Sequence, residues 1–380
     1  MPRFRLSRAA TRRVQSGHPW IYREEPARVP SGTVVDLYDG QGRRVGWGLA
    51  DDGPIAVRVL GQGPRDGIDQ VIRDRITRAD TLRRDLVDGG TDAYRIVAGA
   101  GDGLDGLVVD RYGPIAVLRS YAGAWERHLD PIVRAIAALP WCETVYRRYG
   151  VERVDGRTGG EVLAGPPVPS VVVIEEHGAK LLVRPEVGQK TGMFLDQREH
   201  RALVRRWSRG RSVVNLFAYT GGFSVAAALG GASRVITVDI APDAIDDARE
   251  NFRLNGIDPD RHGFEVADAF GWTGRSPSSL VVLDPPSLAH DKASEGAAGA
   301  AYRKLHRHHG TRVAPDGLLA TSSCTARLST ADWRAAVIDG LAPTADWSWR
   351  WSSGEPPDHP VAIGHPEGSY LKFALLSRRG

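Results

Sequence analysis

With 380 residues, 42% of them hydrophobic and 25% charged, the chain has the makeup of a soluble globular protein with room for two or three cores. Its two cysteines, Cys142 and Cys324, match no zinc spacing and are too few for a disulfide framework, and no apolar run approaches the roughly 18 residues of a membrane-spanning helix. The net charge is only +4 and the first residues lack an apolar leader segment, so the expected location is the cytoplasm.

Residues 1–28 carry seven arginines against Glu24 and Glu25, a basic patch that hints at phosphate binding. Arginine outnumbers lysine 45 to 5 along the whole chain, so the same patch is also what a compositional habit would leave. From Ser31 to Leu60, short β-branched runs broken by DG, QG and DDGP predict hairpins in a small β-barrel. Ile68, Ile72, Ile76, Ala79, Leu82 and Leu86 then recur at helical spacing. Gly101, Gly103 and Gly106 of "GDGLDG" satisfy the spacing of a dinucleotide fingerprint, but two strand-like runs follow where that motif needs a helix, so they read as a turn. "WERHLDPIVRAIAALP" predicts a helix, and "VVVIEEHGAKLLVRP" a hairpin turning at His177, Gly178 and Ala179.

From Arg211 strand-like and helix-like segments alternate, which requires a parallel sheet with helices on both faces. "WSWRW" and "YLKFALL" close the chain with no helix between them and predict an antiparallel pair at one edge. Ligands bind such sheets at the carboxyl ends of the strands, so the residues delivered there matter most. The first strand ends at Gly221 and Gly222, the second at Asp239, the third at Asp268, the fourth at "DPPS" and the fifth at Cys324. Asp239 lies eighteen residues beyond Gly221, close to the offset of about 20 at which an acidic residue reaches a ribose diol. Asp268 is placed to accept from an exocyclic amine. A GxxxxGK[ST] phosphate loop is absent, so the ligand reads as a nucleoside without polyphosphate, S-adenosylmethionine. His306, His308 and His309 in "YRKLHRHHG" read as a solvated basic helix, and no metal is expected.

With "GQKTGMFLDQREHR", "NLFAYTGG", "LDPPS", "SSCT", "EEHGA" and "GDGLDGLVVDRY" in view, nearly the whole chain resembles one family. It is that of the PUA-linked, class I S-adenosylmethionine-dependent methyltransferases that make 5-methylcytosine in large-subunit ribosomal RNA (RlmI-like). The resemblance implies an α/β fold with a PUA-like RNA-binding β-barrel over 1–68 and a central α+β domain over 69–188. A Rossmann-like methyltransferase domain would follow over 189–380, its seven-stranded sheet having the last strand antiparallel. It implies that Phe194, Gln197 and Arg198 close the cofactor pocket. Asn215, Phe217, Ala218, Tyr219, Gly221, Gly222, Asp239, Ile240, Asp268, Ala269 and Pro285 would form the rest of it, with Asp284 and Cys324 facing the base. The expected partner is RNA, large-subunit rRNA in particular, with no DNA and no membrane, and a homodimer is compatible with it. The chain departs from the family pattern at Ala179, at Met193 and at Ser322, where relatives have Ile, an aromatic and a second cysteine; Pro286 stands where some other RNA cytosine methyltransferases place one.

Cytosine C5 is too weak a nucleophile to attack a methyl sulfonium until a thiolate adds at C6 and pushes electron density onto it. Cys324 is the candidate for that thiolate, and Asp284 for the group that holds or protonates N3. Because an unperturbed thiol has a pKa of about 8.5, some neighbour must favour its charged form. Cys142 in "LPWCETV" reads instead as an inert buried thiol. Trp20 and Tyr22 are candidates for stacking on RNA, and Trp47 for the core. Two other readings remain: methylation of a base nitrogen, which needs no thiol, and a non-catalytic RNA-binding protein.

Overall fold

A computed structural model describes residues 2–23, 29–64, 66–86, 90–154, 157–274, 276–289 and 295–380. The chain divides into two compact units, one of Met1–Ile174, Val183–Leu195 and Pro357–Gly368, the other of Glu175–Leu182, Asp196–Pro356 and Ser369–Gly380.

In the first unit β1 (Arg3–Arg5), helix α1 (Arg8–Gln15), β2 (Trp20–Tyr22), β3 (Val34–Tyr38), β4 (Arg44–Ala50) and β5 (Ile55–Gly61) build a five-stranded sheet in the order β1-β3-β4-β5-β2. Ser7 caps α1 by accepting from Ala10 N at 3.2 Å, and Val14 turns the helix onto Val35, Leu37 and Val57. Helix α2 (Ile68–Leu86) follows; of its predicted apolar stripe, Ile72, Ile76 and Ala79 are buried with Ile68 packed against them, while Leu82 is exposed. Then come β6 (Ala93–Ala98), β7 (Leu107–Tyr112), β8 (Ile115–Ser120), α3 (Leu129–Ala137), β9 (Thr144–Val154) and β10 (Arg157–Ala164), whose sheet runs β10-β9-β8-β7-β6. Trp47 is buried, and with Leu49 and Leu60 it shares one core with Ile72, Ile76, Ile96 and Leu118, so the first sheet and α2 pack as a single body.

The glycines of "GDGLDG" form a 3₁₀ turn over Gly99–Asp102 with left-handed Gly103 and Gly106, and β7 rather than a helix comes next. Asp102 serves α2 here, accepting from both Nη atoms of the buried Arg83 at 2.6 and 2.7 Å.

Strands β11 (Val172–Glu176) and β12 (Ala179–Val183) pair as a hairpin whose turn has both His177 and Gly178 at positive φ. Helix α4 (Arg198–Trp207) leads into the second unit's sheet. Its elements in chain order are β13 (Ser212–Leu216), α5 (Gly222–Leu229), β14 (Arg234–Asp239), α6 (Pro242–Leu254), β15 (Gly263–Val266), β16 (Ser278–Leu283), α7 (Glu295–Gly310), β17 (Val313–Ser323), α8 (Thr330–Leu341), β18 (Trp347–Ser353) and β19 (Lys372–Arg378). The seven strands run β15-β14-β13-β16-β17-β19-β18, all parallel neighbours except β19, which inserts antiparallel between β17 and β18. Tyr302, Leu305, Trp333 and Val337 of α7 and α8 pack on Val214, Leu216, Val281, Leu319 and Leu376, while α5 and α6 lie against β13 and β14. The sheet is therefore the doubly wound α/β arrangement expected, and its central strands are apolar on both faces as such burial demands.

One expectation fails here. His306 and His309 on α7 are fully buried, not solvated: Nε2 of His306 pairs with Thr321 Oγ1 at 2.9 Å and Nε2 of His309 with Ala269 O at 2.9 Å. Imidazole fills space and satisfies buried acceptors while neutral, and burial pushes the two rings down to about 4 and about 3. Among the described residues no helix is long and apolar enough to cross a membrane, and no cluster of ligating side chains could hold a metal.

Candidate active site

The carboxyl edge of β13 is strained. Phe217 and Tyr219 both have positive φ, at 59° and 48°, a conformation that costs an ordinary residue of order 1–3 kcal/mol and persists only where its surroundings enforce it. The enforcement is visible. Asp239 at the end of β14 accepts from Tyr219 N at 2.8 Å through Oδ2 and from Ala241 N at 3.0 Å through Oδ1. Below the loop, Asn215 Nδ2 and Thr237 Oγ1 both donate to Ser224 Oγ, at 2.9 and 2.8 Å, with all three side chains fully buried. Gly221 must be glycine at φ 76°, since a Cβ there would lie 2.8 Å from Cβ of Ala248 on α6.

This edge also exposes apolar surface. Ile240, directly after Asp239, is 70% exposed, and Val266 and Phe270 at the end of β15 are also open to solvent. The Phe270 ring meets Phe217 edge-on at 4.9 Å, and Asp268 is exposed, with Oδ1 accepting from Phe270 N at 2.9 Å. Ala269 between them is buried.

The ends of β16 and β17 carry the second half of the site. These strands are adjacent and parallel, with Leu283 opposite Thr321, so Asp284 and the Ser322–Cys324 segment emerge side by side. Asp284 Oδ1 accepts from Ser322 Oγ and from Gln197 Nε2, the latter at 2.9 Å. Gln197 Nε2 also lies 3.3 Å from Ser322 Oγ, and its Oε1 meets His200 Nδ1 at 2.5 Å. The other nitrogen of His200 bonds Ser353 Oγ at 3.0 Å, and its ring stacks flat on Phe373 with centroids 4.0 Å apart. Burial pushes His200 down to about 4. Pro285 is buried, and the Cys324 thiol is half-buried.

Thr325, the residue after Cys324, is locked on three sides. Its Oγ1 meets Tyr302 Oη at 3.1 Å and accepts from Leu288 N at 3.1 Å, and its carbonyl accepts from Lys372 Nζ at 2.7 Å. Burial pushes the Tyr302 hydroxyl up to about 12, so it stays neutral.

Helix α4 is held in place by the hairpin before it. Glu176 accepts from Arg201 Nε and Nη2 at 2.6 and 2.5 Å, a bidentate pair with both partners buried, and Arg205 Nη1 donates to His177 O at 3.0 Å. A Cβ on Gly222 would lie 3.0 Å from Arg201 Cδ, so the same arginine supports the first turn of α5. Asp196 accepts from Tyr370 Oη at 2.6 Å, and Arg198, buried, donates from Nε to Glu199 at 3.0 Å.

Of the sequence-derived residues, Asn215, Phe217, Ala218, Tyr219, Gly221, Gly222, Asp239 and Ile240 gather at the ends of β13 and β14, with Asp268 and Ala269 beyond β15. Gln197, Asp284, Pro285 and Cys324 gather at β16 and β17, and Arg198 opens α4. Phe194 belongs to the first unit, where Lys190 Nζ stands 4.5 Å from its ring centre. Sequence reading missed His200, Glu176, Arg201, Tyr302 and Lys372: each lies in a stretch it had quoted, but their partners lie elsewhere in the chain, Glu176 being 25 residues from Arg201.

A family model described as S-adenosylmethionine-dependent methyltransferase matches residues 127–338, and a PUA-like domain model matches residues 4–62. The ribosomal RNA large subunit methyltransferase of Deinococcus radiodurans is 37% identical over 98% of this chain and 97% of its own. Ribosomal RNA large subunit methyltransferase I of Klebsiella pneumoniae is 33% identical over the same shares. The chain belongs to this family of S-adenosylmethionine-dependent methyltransferases. Two solved structures share the fold of the methyltransferase end to end: a Streptococcus mutans protein described as SAM-dependent (TM-score 0.87, 23% identity, 99% of this chain, 100% of that one) and a methyltransferase complexed with SAH (0.88, 24%, with the same coverage).

The residues present fit S-adenosylmethionine. A nucleoside needs a carboxylate for its diol, an acceptor for its amine and apolar walls for its ring, and Asp239, Asp268, Ile240 and Phe270 offer that set at one sheet edge. The methyltransferase's exposed Ile240 is the plainest sign, since an isoleucine 70% open beside an anchored carboxylate is surface that a bound ring would cover.

Proposed function

We propose that this methyltransferase makes 5-methylcytosine in large-subunit ribosomal RNA through a covalent bond between Cys324 and C6 of the target base. The RNA class is taken from the relatives' names. The observation that carries the chemistry is the half-buried Cys324 thiol emerging beside Asp284 from adjacent parallel strands, at the same sheet edge as the anchored Asp239 and Asp268. A base-nitrogen methyltransferase would have no use for a thiol there.

Asp239 would hold the ribose diol, Asp268 and Ile240 the adenine, and the Phe217–Gly222 loop with Ala269 and Pro285 the rest of the cofactor, while Asn215 supports that loop from beneath. When bound, S-adenosylmethionine supplies the electrophilic methyl group that C5 accepts. The cytosine reaches the site out of its stack. The Cys324 thiolate adds to C6, forming the C–S bond as the C5=C6 π pair shifts toward C5; Asp284, protonated when the base enters, gives its proton to N3 as the charge moves and takes it back when C5 accepts the methyl group. Gln197 and Ser322 fix Asp284 for that task. Loss of the C5 proton to a base returns its electron pair to the ring, the C5=C6 bond re-forms and the thiolate departs. In the first unit the exposed Arg8, Arg12 and Arg13 on α1, with Arg13 over the Tyr22 ring at 5.0 Å, are suited to RNA phosphates and a stacked base.

The test is methyl transfer to ribosomal RNA followed by nucleoside mass analysis. Cys324→Ala is expected to lower transfer by roughly three orders of magnitude or more, as loss of a nucleophile does. Retained activity with an N-methylated nucleoside would replace this reading by the nitrogen one.

A further inference from the structure

Lys372 is one of five lysines in the chain, and it is 4% exposed. Buried ammonium groups are costly unless something compensates their charge. Its register places it opposite Ser323, the residue before Cys324, on the antiparallel pair of β17 and β19. Nζ donates to the carbonyl of Thr325, the residue after Cys324, at 2.7 Å and to Tyr370 O at 3.0 Å. Among the described residues the third N–H meets no acceptor and no carboxylate lies within 4.0 Å of Nζ. A buried cation is thus bonded to the carbonyl of the residue after the thiol, on a strand paired with the residue before it.

We propose that Lys372 is the buried cation that holds Cys324 as the thiolate. This rests on the reading of Cys324 as nucleophile and supplies the neighbour which that reading lacked. The groups that face the pair are Tyr302 from α7, Asp284 at the end of β16 and Glu355 between β18 and β19, with the exposed Arg327 further along the same loop. Tyr302 is neutral and the two carboxylates disfavour a thiolate, whereas the Lys372 ammonium, bonded to the Thr325 carbonyl next to Cys324, favours it. Burial lowers the lysine's own pKa while the charges of Glu355 and Cys324 raise it, so the lysine and the thiol act on each other. Sequence reading passed over Lys372 because "YLKFALL" reads as an apolar strand with one stray charge.

The experiment titrates the thiol in the full chain without substrate. Cys142→Ala leaves Cys324 as the one cysteine, and iodoacetamide alkylation rates against pH give its midpoint. Lys372→Met should raise that midpoint by about one unit or more and slow alkylation at pH 7 about tenfold, whereas Lys372→Arg should keep it near the parent value. A folded Lys372→Met protein with the parent's midpoint overturns the proposal. Should that variant fail to fold, NMR titration of ¹³Cε-labelled lysine in the Cys324→Ser protein reads the same coupling from the other side: the Lys372 midpoint should fall, and an unmoved midpoint overturns the proposal. A midpoint that shifts as expected in an enzyme that never bonds cytosine would leave the pair standing and remove the cytosine reading; cytosine adducts with an insensitive midpoint would do the reverse.

Discussion

Gln197 donates from Nε2 to Asp284 Oδ1 at 2.9 Å, while its Oε1 lies 2.5 Å from Nδ1 of His200. Burial keeps the His200 ring neutral, so one ring nitrogen donates and the other accepts. Nδ1 of the ring faces Gln197 Oε1 and Nε2 faces Ser353 Oγ, so the amide oxygen lies on the His200 side and the amide nitrogen on the carboxylate side. Flipping the amide would set two oxygens against each other.

Gln197→Glu is therefore expected to lower kcat about a hundredfold at pH 7.5, the cost of losing a hydrogen bond to a charged group and placing a like charge beside it. Steady-state methyl transfer checks this, and a fall well short of tenfold would mean that Gln197 does not act on Asp284.

The neutral histidines make the fold acid-sensitive. His200, His306 and His309 are pushed below their ordinary value of 6.5 to about 4, about 4 and about 3, in each case chiefly by burial. The unfolded chain then binds more protons than the folded one below pH 6.5. The stability these groups contribute is complete above that pH and is lost as pH falls toward 4, by up to about 1.4 kcal/mol per pH unit for each ring. Urea unfolding at pH 7.5, 6 and 5 should show this fall, and His306→Asn should flatten it.

Glu176→Gln should destabilise the protein by about 3–5 kcal/mol, because it removes one charge of a buried, bidentate ion pair with Arg201. Chemical denaturation measures it. The same substitution should reduce activity even where the protein remains folded, since Arg201 lies on the helix that begins beside Gln197.

Ile240→Asp separates ligand surface from core. The side chain is 70% exposed, so the unfolding free energy should change by no more than about 0.5 kcal/mol. Calorimetry should show S-adenosylmethionine affinity reduced about tenfold or more, from the lost apolar wall and a new charge. Unchanged affinity would place the adenine elsewhere.

What the sequence made legible follows from what is local. Asp239, Asp268, Asp284 and Cys324 each end a strand, and a parallel sheet carries all strand ends to one edge, so order along the chain sufficed to assemble them. The Glu176–Arg201 clamp and the Gln197–Asp284 bond join residues whose separation in sequence no periodicity encodes. The histidines of α7 were misread because a run of three beside arginines looks solvated, whereas two of them face the Thr321 and Ala269 acceptors inside the sheet layer. Positive φ at Phe217 and Tyr219 had no sequence signal either, since neither residue favours it.

The central claim is a sulfur–carbon bond between Cys324 and the substrate ring, and RNA carrying 5-fluorocytosine tests it most directly. Once C5 bears both fluorine and methyl, no proton remains to leave and the adduct cannot resolve. Incubated with S-adenosylmethionine, the protein should shift to a stable RNA-linked species whose modified peptide contains Cys324, and Cys324→Ala should give none. Methylation of ordinary RNA at full rate, with no trapped species on the fluorinated one, would contradict the account.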